Sequence, residues 1–260
     1  MNPTLDLIFK RNSIRAYEKK SIDPAIKEKL FQATLRSPTA GNMMLYSIIE
    51  VTQQEAKETL AVTCDHQPFI AKAPLVLVFL ADYQRWVDYF NASGIEDFCE
   101  TQNLPKKTPR QGDLFLACCD ALVAAQTSVI AAESLGLGSC YIGDIMENYE
   151  THQALFNLPR YVFPITMVCY GYPTSLQKKR EPSLRFNPEY VVFKDTYKRL
   201  SENDFQAMFE KRHQQVFGAR QEIKGAKNVG QHMYQKKYTS DFSAEMNRSV
   251  NRIMDVWFKQ

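Results

Sequence analysis

The hydrophobic and polar positions along the chain predict helices and strands that alternate. One helix is expected to begin at Asp23-Pro24, because Asp caps free amides and Pro suits the first helical turn. Its inward face would carry Ile26 and Leu30, and it would end before Pro38. The other predicted helices are Thr4–Lys10, Gln53–Thr63, Tyr83–Ala92, Asp113–Leu135, Glu202–Phe217 and Asp241–Trp257.

One predicted strand is apolar on both of its faces. Pro74–Ala81 contains no polar residue, which is typical of a strand in the middle of a sheet with helices on each side. The interleaved order of strands and helices predicts an α+β fold, a three-layer α/β/α sandwich with a mixed central sheet. The remaining predicted strands are Tyr46–Thr52, Ser139–Ile142, Phe163–Tyr170 and Tyr190–Phe193.

The longest predicted helix, Asp113–Leu135, carries many small apolar residues on one face, among them Ala117, Ala121 and Ala124. Small side chains let another backbone approach closely, so we expect this helix at the centre of the fold. Polar residues within it, such as Asp120, would be costly in hydrocarbon. We therefore do not expect this helix to span a membrane.

Composition and charge narrow the class of protein. The chain has 260 residues, of which 45% are hydrophobic and 23% charged, as in a globular protein of one large or two small domains. A net charge of +3 gives no reason to expect nucleic-acid binding. Six cysteines without metal-ligand spacing predict free thiols in a reducing compartment. The first residues lack a basic stretch followed by an apolar run, so we expect a soluble cytoplasmic protein.

The standard catalytic motifs are missing from the sequence. It has neither of the common Gly-rich phosphate loops, no G-x-S-x-G motif and no H-E-x-x-H motif. The four histidines are scattered along the chain, which argues against a metal site or a catalytic dyad built on histidine. The sequence therefore offers none of the common catalytic constellations.

Three polar clusters are candidate binding segments. Arg11–Arg15 has two arginines and a serine at alternate positions, which suits a phosphate group, although taken alone the segment favours a solvated loop. Ser37–Asn42 offers short side chains and open amides to a ribose or a planar heterocycle, or forms a plain turn. In Gly136–Asp144, Gly143 follows a strand and would let the backbone approach a ligand, or the stretch merely caps a helix and ends a strand.

Taken together and in this order, the clusters resemble the nitroreductase / flavin reductase family of FMN-dependent oxidoreductases. The similarity is greatest to the branch of NADPH-flavin oxidoreductases and oxygen-insensitive nitroreductases. No single motif decides this, but five matching segments in the right order make chance similarity improbable. The segments are RNSIRAY (Arg11–Tyr17), SPTAGN (Ser37–Asn42), HQPFIAKAPLVLVFLADYQR (His66–Arg85), AAESLGLGSCYIGDI (Ala131–Ile145) and RFNPEYVVFKDTY (Arg185–Tyr197).

The resemblance implies a set of FMN contacts. A second phosphate-binding arginine would be Arg185, and the lysine that the family often has two residues earlier is Ser183 here. Its charge would be replaced by Lys178, Lys179 or Arg180, and the sequence leaves these three open. The other implied contacts are Arg11, Asn12, Ser13 and Arg15 for the phosphate and ribityl chain, Gln67 for the ribityl chain or the ring, and Thr39, Asn42, Tyr141, Ile142, Gly143 and Asp144 for the ring.

The resemblance also implies an obligate homodimer with FMN at the subunit interface. Residues 1–197 would form the FMN-binding core, and residues 198–260 would form a helical extension that packs on the core and on the partner subunit. A section of such length and modest hydrophobicity needs a surface against which to order.

The implied activity is that of an NAD(P)H oxidoreductase which reduces nitroaromatics, quinones or free flavins through bound FMN. Donor and acceptor would occupy one site in turn, in a ping-pong cycle, with no catalytic residue from the protein itself. Either NADPH or NADH would serve as co-substrate. The alternatives are a specialised branch of the fold, such as a dehalogenase, and a non-catalytic flavin-binding or regulatory protein. A nucleic-acid binder that uses the basic C-terminal section is the least favoured.

Overall fold

The computed structural model describes residues 2–259, so that Met1 and Gln260 lie outside the described residues. The described chain forms two units by its internal contacts, residues 2–181 with 245–259, and Pro182–Ala244. The strands are β1 (Tyr46–Glu50), β2 (Leu75–Asp82), β3 (Gly138–Ile142) and β4 (Val162–Gly171). The helices are α1 (Pro3–Lys10), α2 (Pro24–Thr34), α3 (Gln54–Thr63), α4 (Phe69–Lys72), α5 (Gln84–Ala92), α6 (Ile95–Thr101), α7 (Gln111–Ser134), α8 (Tyr149–Phe156), α9 (Ser175–Lys178), α10 (Glu202–Phe217), α11 (Val229–Met233) and α12 (Asp241–Phe258).

The four strands form one sheet in the order β1-β2-β4-β3. All three neighbouring pairs are antiparallel, and the one parallel contact in the described chain is the isolated bridge between Ser13 and Ser139. The sheet was expected to be mixed, but its strands are all antiparallel and only that bridge is parallel. The reason is that a helix between two strands leaves their relative direction open, and interleaved order alone does not make a sheet parallel.

Strand β2 is an inner strand, as predicted, and it separates two hydrophobic cores. Val76 and Val78 lie in the core that includes residues of α3 and α4. Leu77 and Phe79, which alternate with them, lie in the core that includes the small residues of α7. Because side chains of a strand point alternately to its two faces, a strand covered on both sides has to be apolar throughout. The result is the expected sandwich of three layers.

Helix α7 is long and apolar enough, by length and composition alone, to cross a membrane. Its small residues Ala121, Ala124 and Ala125 are fully buried against the sheet. Packing inside the core of the first unit therefore accounts for the apolar character of this face. Helix α2 also packs against α7, as small side chains at a helix surface allow.

The beginnings of several helices follow from local capping. The side chain of Asp23 accepts a hydrogen bond from the amide of Ala25 at the start of α2, as predicted. In the second unit, Ser201 and Asp204 form a capping box at the start of α10. Helices α6 and α8 were not expected from the sequence. Each follows a residue with a left-handed backbone, Gly94 and Asn148 respectively, and is too short to show clear periodicity.

The prediction of a strand at Tyr190–Phe193 is wrong. A 3₁₀ turn, Pro188–Tyr190, occupies its start, and the amides of Val191 and Val192 both bond to the carbonyl of Pro188. The two valines are largely exposed. A β-branched pair predicts a strand only where a neighbouring strand offers hydrogen bonds, and none pairs with this segment in the described chain.

The two units divide at other positions than the domain boundary expected after residue 197. The contacts place residues 182–197 with the second unit and return residues 245–259, most of α12, to the first. Trp257 and Ile253 of α12 are buried with Tyr149 and Phe163 in a further core of the first unit. That the rest of the C-terminal section packs on a partner subunit stays a prediction.

Candidate functional site

The segment Arg11–Arg15 is fastened to the start of β3. Ile14 is buried, and its amide donates to the carbonyl of Ser139 across 2.8 Å. A Cβ on Gly138 would lie 2.5 Å from the Ile14 side chain, so the close approach of these two backbones requires glycine there. Since neighbouring residues of an extended segment point to opposite sides, the buried Ile14 leaves Ser13 and Arg15 facing away from the core.

A second attachment ties the same segment to the chain around α9. Asn12 donates from Nδ2 to the carbonyl of Arg180 at 2.7 Å, and Arg180 donates from Nη1 to the carbonyl of Ser13 at 3.2 Å. The Oε1 of Gln177 accepts from the amide of Arg15 and from Arg180. The structure thus places a further cation, Arg180, against the arginine segment.

The three basic residues left open as replacements for the missing lysine have different surroundings. Lys178 is engaged in an ion pair with Glu18 at 3.3 Å, whereas Arg180 contacts Ser13. Lys179 is exposed, and its side chain makes no hydrogen bond or ion pair among the described residues. These contacts favour Arg180 as the replacement for the missing lysine. The sequence did not distinguish the three residues, because they occupy three consecutive positions.

The guanidinium groups of Arg11 and Arg15 form no ion pair within residues 2–259. Both lie close enough to Cys140 to oppose the effect of burial, which raises the pKa of that thiol. Arg11 likewise acts against the rise that burial causes in the pKa of Tyr141. Arg11 also opposes the rise that burial causes in the pKa of Glu133, although the two form no ion pair. Guanidinium groups that are outside ion pairs and close together are donors that suit a phosphate.

Helix α7 holds the second cluster in place through Asp120. This carboxylate is buried, and it accepts from the amide of Ala40 at 2.9 Å and from the amide of Leu45 at 3.0 Å. The Oγ1 of Thr39 accepts from the amide of Met44, and Asn42 is exposed with a φ of 56°. Sequence reasoning took Asp120 only as a polar interruption of an apolar helix. A lone carboxylate on a face of small buried residues was the available signal.

The third cluster joins two segments that are far apart in sequence. Gln67 donates from Nε2 to the Oδ2 of Asp144 at 2.7 Å and to the carbonyl of Cys64 at 3.0 Å. Asp144 lies in a 3₁₀ turn, Gly143–Met146, that directly follows β3. Gly143 is exposed, and a Cβ there would meet open space. The turn after β3 therefore presents backbone to solvent beside an amide and a carboxylate.

The remaining predicted ring contacts differ in exposure. The hydroxyl of Tyr141 donates to the Oε1 of Gln126 at 3.2 Å, and the residue is half-buried. Ile142 is fully buried in the core, so only its main chain is available to a ligand. Arg185 belongs to the second unit, where its Nη1 donates to the carbonyls of Ser183 and Leu184.

Comparison with known proteins identifies the family. The model of the family described as "Nitroreductase family" matches residues 8–172, well over half of the chain. The chain belongs to the nitroreductase family. The matched range includes all three clusters of the first unit.

Curated relatives of this nitroreductase cover most of its length. An "FMN reductase (NADPH)" from Bacillus subtilis is 29% identical over 207 residues, which are 79% of this chain and 78% of the relative. An "Oxygen-insensitive NADPH nitroreductase" from Salmonella typhimurium is 30% identical over 204 residues, 78% of each chain. The resemblance read from five sequence segments is thereby confirmed at the level of the family.

Solved structures show that the nitroreductase fold extends over nearly the whole chain. A putative oxidoreductase from Bacteroides fragilis superposes with a TM-score of 0.82 at 26% identity, covering 98% of this chain and 100% of the other. An NADPH:FMN oxidoreductase from Vibrio harveyi, solved in complex with NAD+, superposes with a TM-score of 0.79 at 22% identity, covering 97% and 98%. The predicted α+β fold class is confirmed.

Proposed function

We propose that this nitroreductase binds FMN and uses NAD(P)H to reduce nitroaromatics, quinones or free flavins. The names of its curated relatives, an FMN reductase and an NADPH nitroreductase among them, support the class of reaction. The structural observation that carries the proposal is the pair of arginines at Arg11 and Arg15, which are fastened to β3 and have no ion-pair partner in the described chain.

The first cluster fits the phosphate end of FMN. Arg11 and Arg15 would bind the phosphate as charged donors, and the hydroxyl of Ser13 would add a hydrogen bond. Arg180 would add positive charge and hold the carbonyl of Ser13 in place. Asn12 uses its Nδ2 to bond Arg180, so we assign it the role of holding the segment. That Arg185 binds the phosphate, as the resemblance to the family implies, stays a prediction.

The other two clusters fit the ring and the ribityl chain. Gln67 and Asp144, joined by a hydrogen bond of 2.7 Å, would orient the cofactor beside the exposed backbone of Gly143. Tyr141 and the main chain of Ile142 continue that surface along β3. From the second cluster, Thr39 and Asn42 are proposed to contact the ring edge, on a loop that Asp120 stabilises.

Bound FMN would supply the redox chemistry, by accepting a hydride from NAD(P)H and passing electrons to an acceptor. The task of the chain's own residues is to bind the phosphate, orient the ring and leave one face open for donor and acceptor in turn. No acid or base from the protein is required by this division of labour, which agrees with the missing catalytic motifs of the sequence.

A homodimer is part of the proposal. Exposed apolar side chains cover the outward faces of two neighbouring helices of the first unit, α1 and α7. Apolar patches of this extent indicate a surface that is covered in the assembled protein. The exposed residues are Leu5, Ile8, Phe9, Phe115, Leu116, Leu122 and Val123.

The cytoplasmic location also stays a prediction.

Steady-state kinetics test the proposed activity. Initial rates would be measured with NADPH and NADH as donors and with a nitroaromatic, a quinone and free FMN as acceptors. We expect turnover that requires bound FMN and parallel double-reciprocal lines, since donor and acceptor share one site. Intersecting lines would contradict the shared site. Absence of turnover by the FMN-loaded protein with every pair would contradict the proposed function.

A further inference from the structure

Both amide protons of Gln67 are committed to the protein. They go to the carbonyl of Cys64 at 3.0 Å and to the carboxylate of Asp144 at 2.7 Å. Neither of these groups has a proton to give when Asp144 is ionised, so the orientation of the amide is determined by its partners. The Oε1 of Gln67 has no partner among the described residues. Gln67 therefore offers a ligand an acceptor and no donor.

Glu147 directly follows the 3₁₀ turn that carries Asp144. Its amide donates to the carbonyl of Asp144 at 3.0 Å, in the last turn of the segment Gly143–Met146. The residue is only 5% exposed, and its Oε1 has no hydrogen-bond partner in the described chain. Its carboxyl group lies close to that of Asp144, and this neighbour helps to raise its pKa. A buried carboxyl in this position is stable as the acid and costly as the anion.

Three carboxyl groups and the buried thiol of Cys64 lie close to Glu147. Asp144 precedes it in the same turn, Asp65 follows α3, and Glu245 belongs to α12. His152 of α8 donates from Nδ1 to the carbonyl of Ile145, and burial lowers its pKa.

The arginine of α12 that bonds Glu245 is also engaged with Glu150. Arg248 bonds to Glu245 and, through both terminal nitrogens, to Glu150. Glu147 has no ion pair within residues 2–259. Burial, followed by the charges of Asp144 and Asp65, raises the pKa of Glu147 to about 8.

We propose that Glu147 is a positioning residue of the cofactor site: while it carries a proton it donates to Asp144, and Asp144 then holds the amide of Gln67 so that its Oε1 accepts a hydrogen bond from an O–H or N–H of bound FMN. The inference rests on the proposed function. Loss of the proton puts two carboxylates in contact, and their repulsion moves Asp144 away from Gln67. The amide is then free to turn its N–H groups toward the ligand. These N–H groups would face the O–H or N–H of FMN, and two donors form no hydrogen bond with each other.

The consequence is a loss of FMN affinity as the pH rises through the pKa of Glu147. The effect is expected to be about tenfold, the value of one hydrogen bond in an equilibrium constant. It would leave the phosphate contacts unchanged, because arginines stay charged over this range.

The test is the rate at which FMN leaves the holoenzyme on dilution, followed by flavin fluorescence between pH 6 and pH 9.5. The wild type should release FMN about tenfold faster at the upper end, with a midpoint near pH 8. Glu147→Gln keeps the size and a donor but cannot ionise, so its profile should be flat. Glu55→Gln removes an exposed carboxyl of α3 and should reproduce the wild-type profile.

A second variant keeps the test independent of how well Glu147→Gln folds. Asp65 has a left-handed backbone with φ of 56°, which Asn also tolerates. Because the charge of Asp65 raises the pKa of Glu147, Asp65→Asn should move the midpoint of FMN release to lower pH. An unmoved midpoint would overturn the proposal.

The other outcomes separate this proposal from the proposed function. A wild type that holds FMN equally from pH 6 to pH 9.5, or a Glu147→Gln variant that keeps the same pH step, overturns the role of Glu147 and leaves FMN binding established. A wild type that holds no FMN even at pH 6 overturns both.

Discussion

The guanidinium of Arg180 donates a hydrogen bond to the carbonyl of Ser13 across 3.2 Å, although 167 residues separate the two positions. Asn12 returns a bond of 2.7 Å to the carbonyl of Arg180. The two contacts join the start of the chain to the segment after β4. They place a cation, Arg180, beside the arginine segment, whereas Ser183 occupies the sequence position at which the resemblance led us to expect a lysine.

Replacement of Arg180 should therefore weaken the retention of FMN. Arg180→Ala removes one positive charge and the bond that holds Ser13, and we expect FMN to dissociate about tenfold faster. Arg180→Lys keeps the charge but lacks the planar guanidinium, so its rate of FMN dissociation should lie between those of the wild type and Arg180→Ala. Lys179→Ala is the matched control, since Lys179 is exposed and its side chain makes no hydrogen bond or ion pair among the described residues. Equal retention in Arg180→Ala and Lys179→Ala would remove Arg180 from the site.

Arg15 is expected to contribute more. Arg15→Ala takes away a guanidinium that is proposed to bond the phosphate directly, and the loss of a charged hydrogen bond weakens binding by about 1.5–3 kcal/mol. Isothermal titration of the stripped protein with FMN measures the loss. Arg36→Ala, at an exposed arginine of the first unit, serves as the control. Wild-type affinity in Arg15→Ala would show that the phosphate binds elsewhere.

Asp120 is predicted to stabilise both the folded protein and the loop proposed to contact the ring edge. Asp120→Asn leaves one oxygen for the two amides of Ala40 and Leu45, so one buried donor loses its partner. The expected cost is about 1–3 kcal/mol in the free energy of unfolding, measured by urea denaturation. Asp88→Asn changes an exposed carboxylate on α5 and should have little effect. An unchanged unfolding midpoint in Asp120→Asn would contradict the assigned role.

Ser249 of α12 is predicted to hold the turn that carries Asp144. Its buried hydroxyl accepts from the amide of Tyr149 at 3.0 Å and donates to the carbonyl of Met146 at 2.6 Å. Ser249→Ala should lower the free energy of unfolding by about 1–3 kcal/mol, because both buried backbone groups lose their partner.

The control for this variant is Ser134→Ala, whose hydroxyl bonds only within its own exposed helix end. If the two serine variants unfold at the same urea concentration, α12 does not stabilise the turn as described.

Much of the fold was predictable because its signals are local. The double-sided apolar pattern of β2, the cap at Asp23 and the small residues of α7 each depend on neighbours in sequence, and the structure has all three. The direction of the strands was not predictable in this way. Strand direction depends on which edges meet in space, and the alternating order of elements is compatible with either direction.

The candidate site likewise contains residues that the sequence alone could reveal and residues that it could not. The arginine segment and Gly143 could be found from residue types and spacing. The roles of Asp120 and Arg180 could not, since each acts on backbone groups more than seventy positions away. The clustering of Glu147 with Asp65, Asp144 and Glu245 likewise arises from three separate elements. Tertiary packing alone brings these groups together.

The most direct test of the account is an absorption spectrum of the purified protein, followed by anaerobic titration with NADPH and then NADH. We predict a yellow protein with one FMN per chain, whose visible flavin absorption is lost on addition of at least one of the two donors and returns on addition of an acceptor. A yellow protein that neither donor bleaches would contradict the proposed enzyme and favour a flavin-binding role. A colourless protein that cannot be reconstituted with FMN would contradict the cofactor site itself.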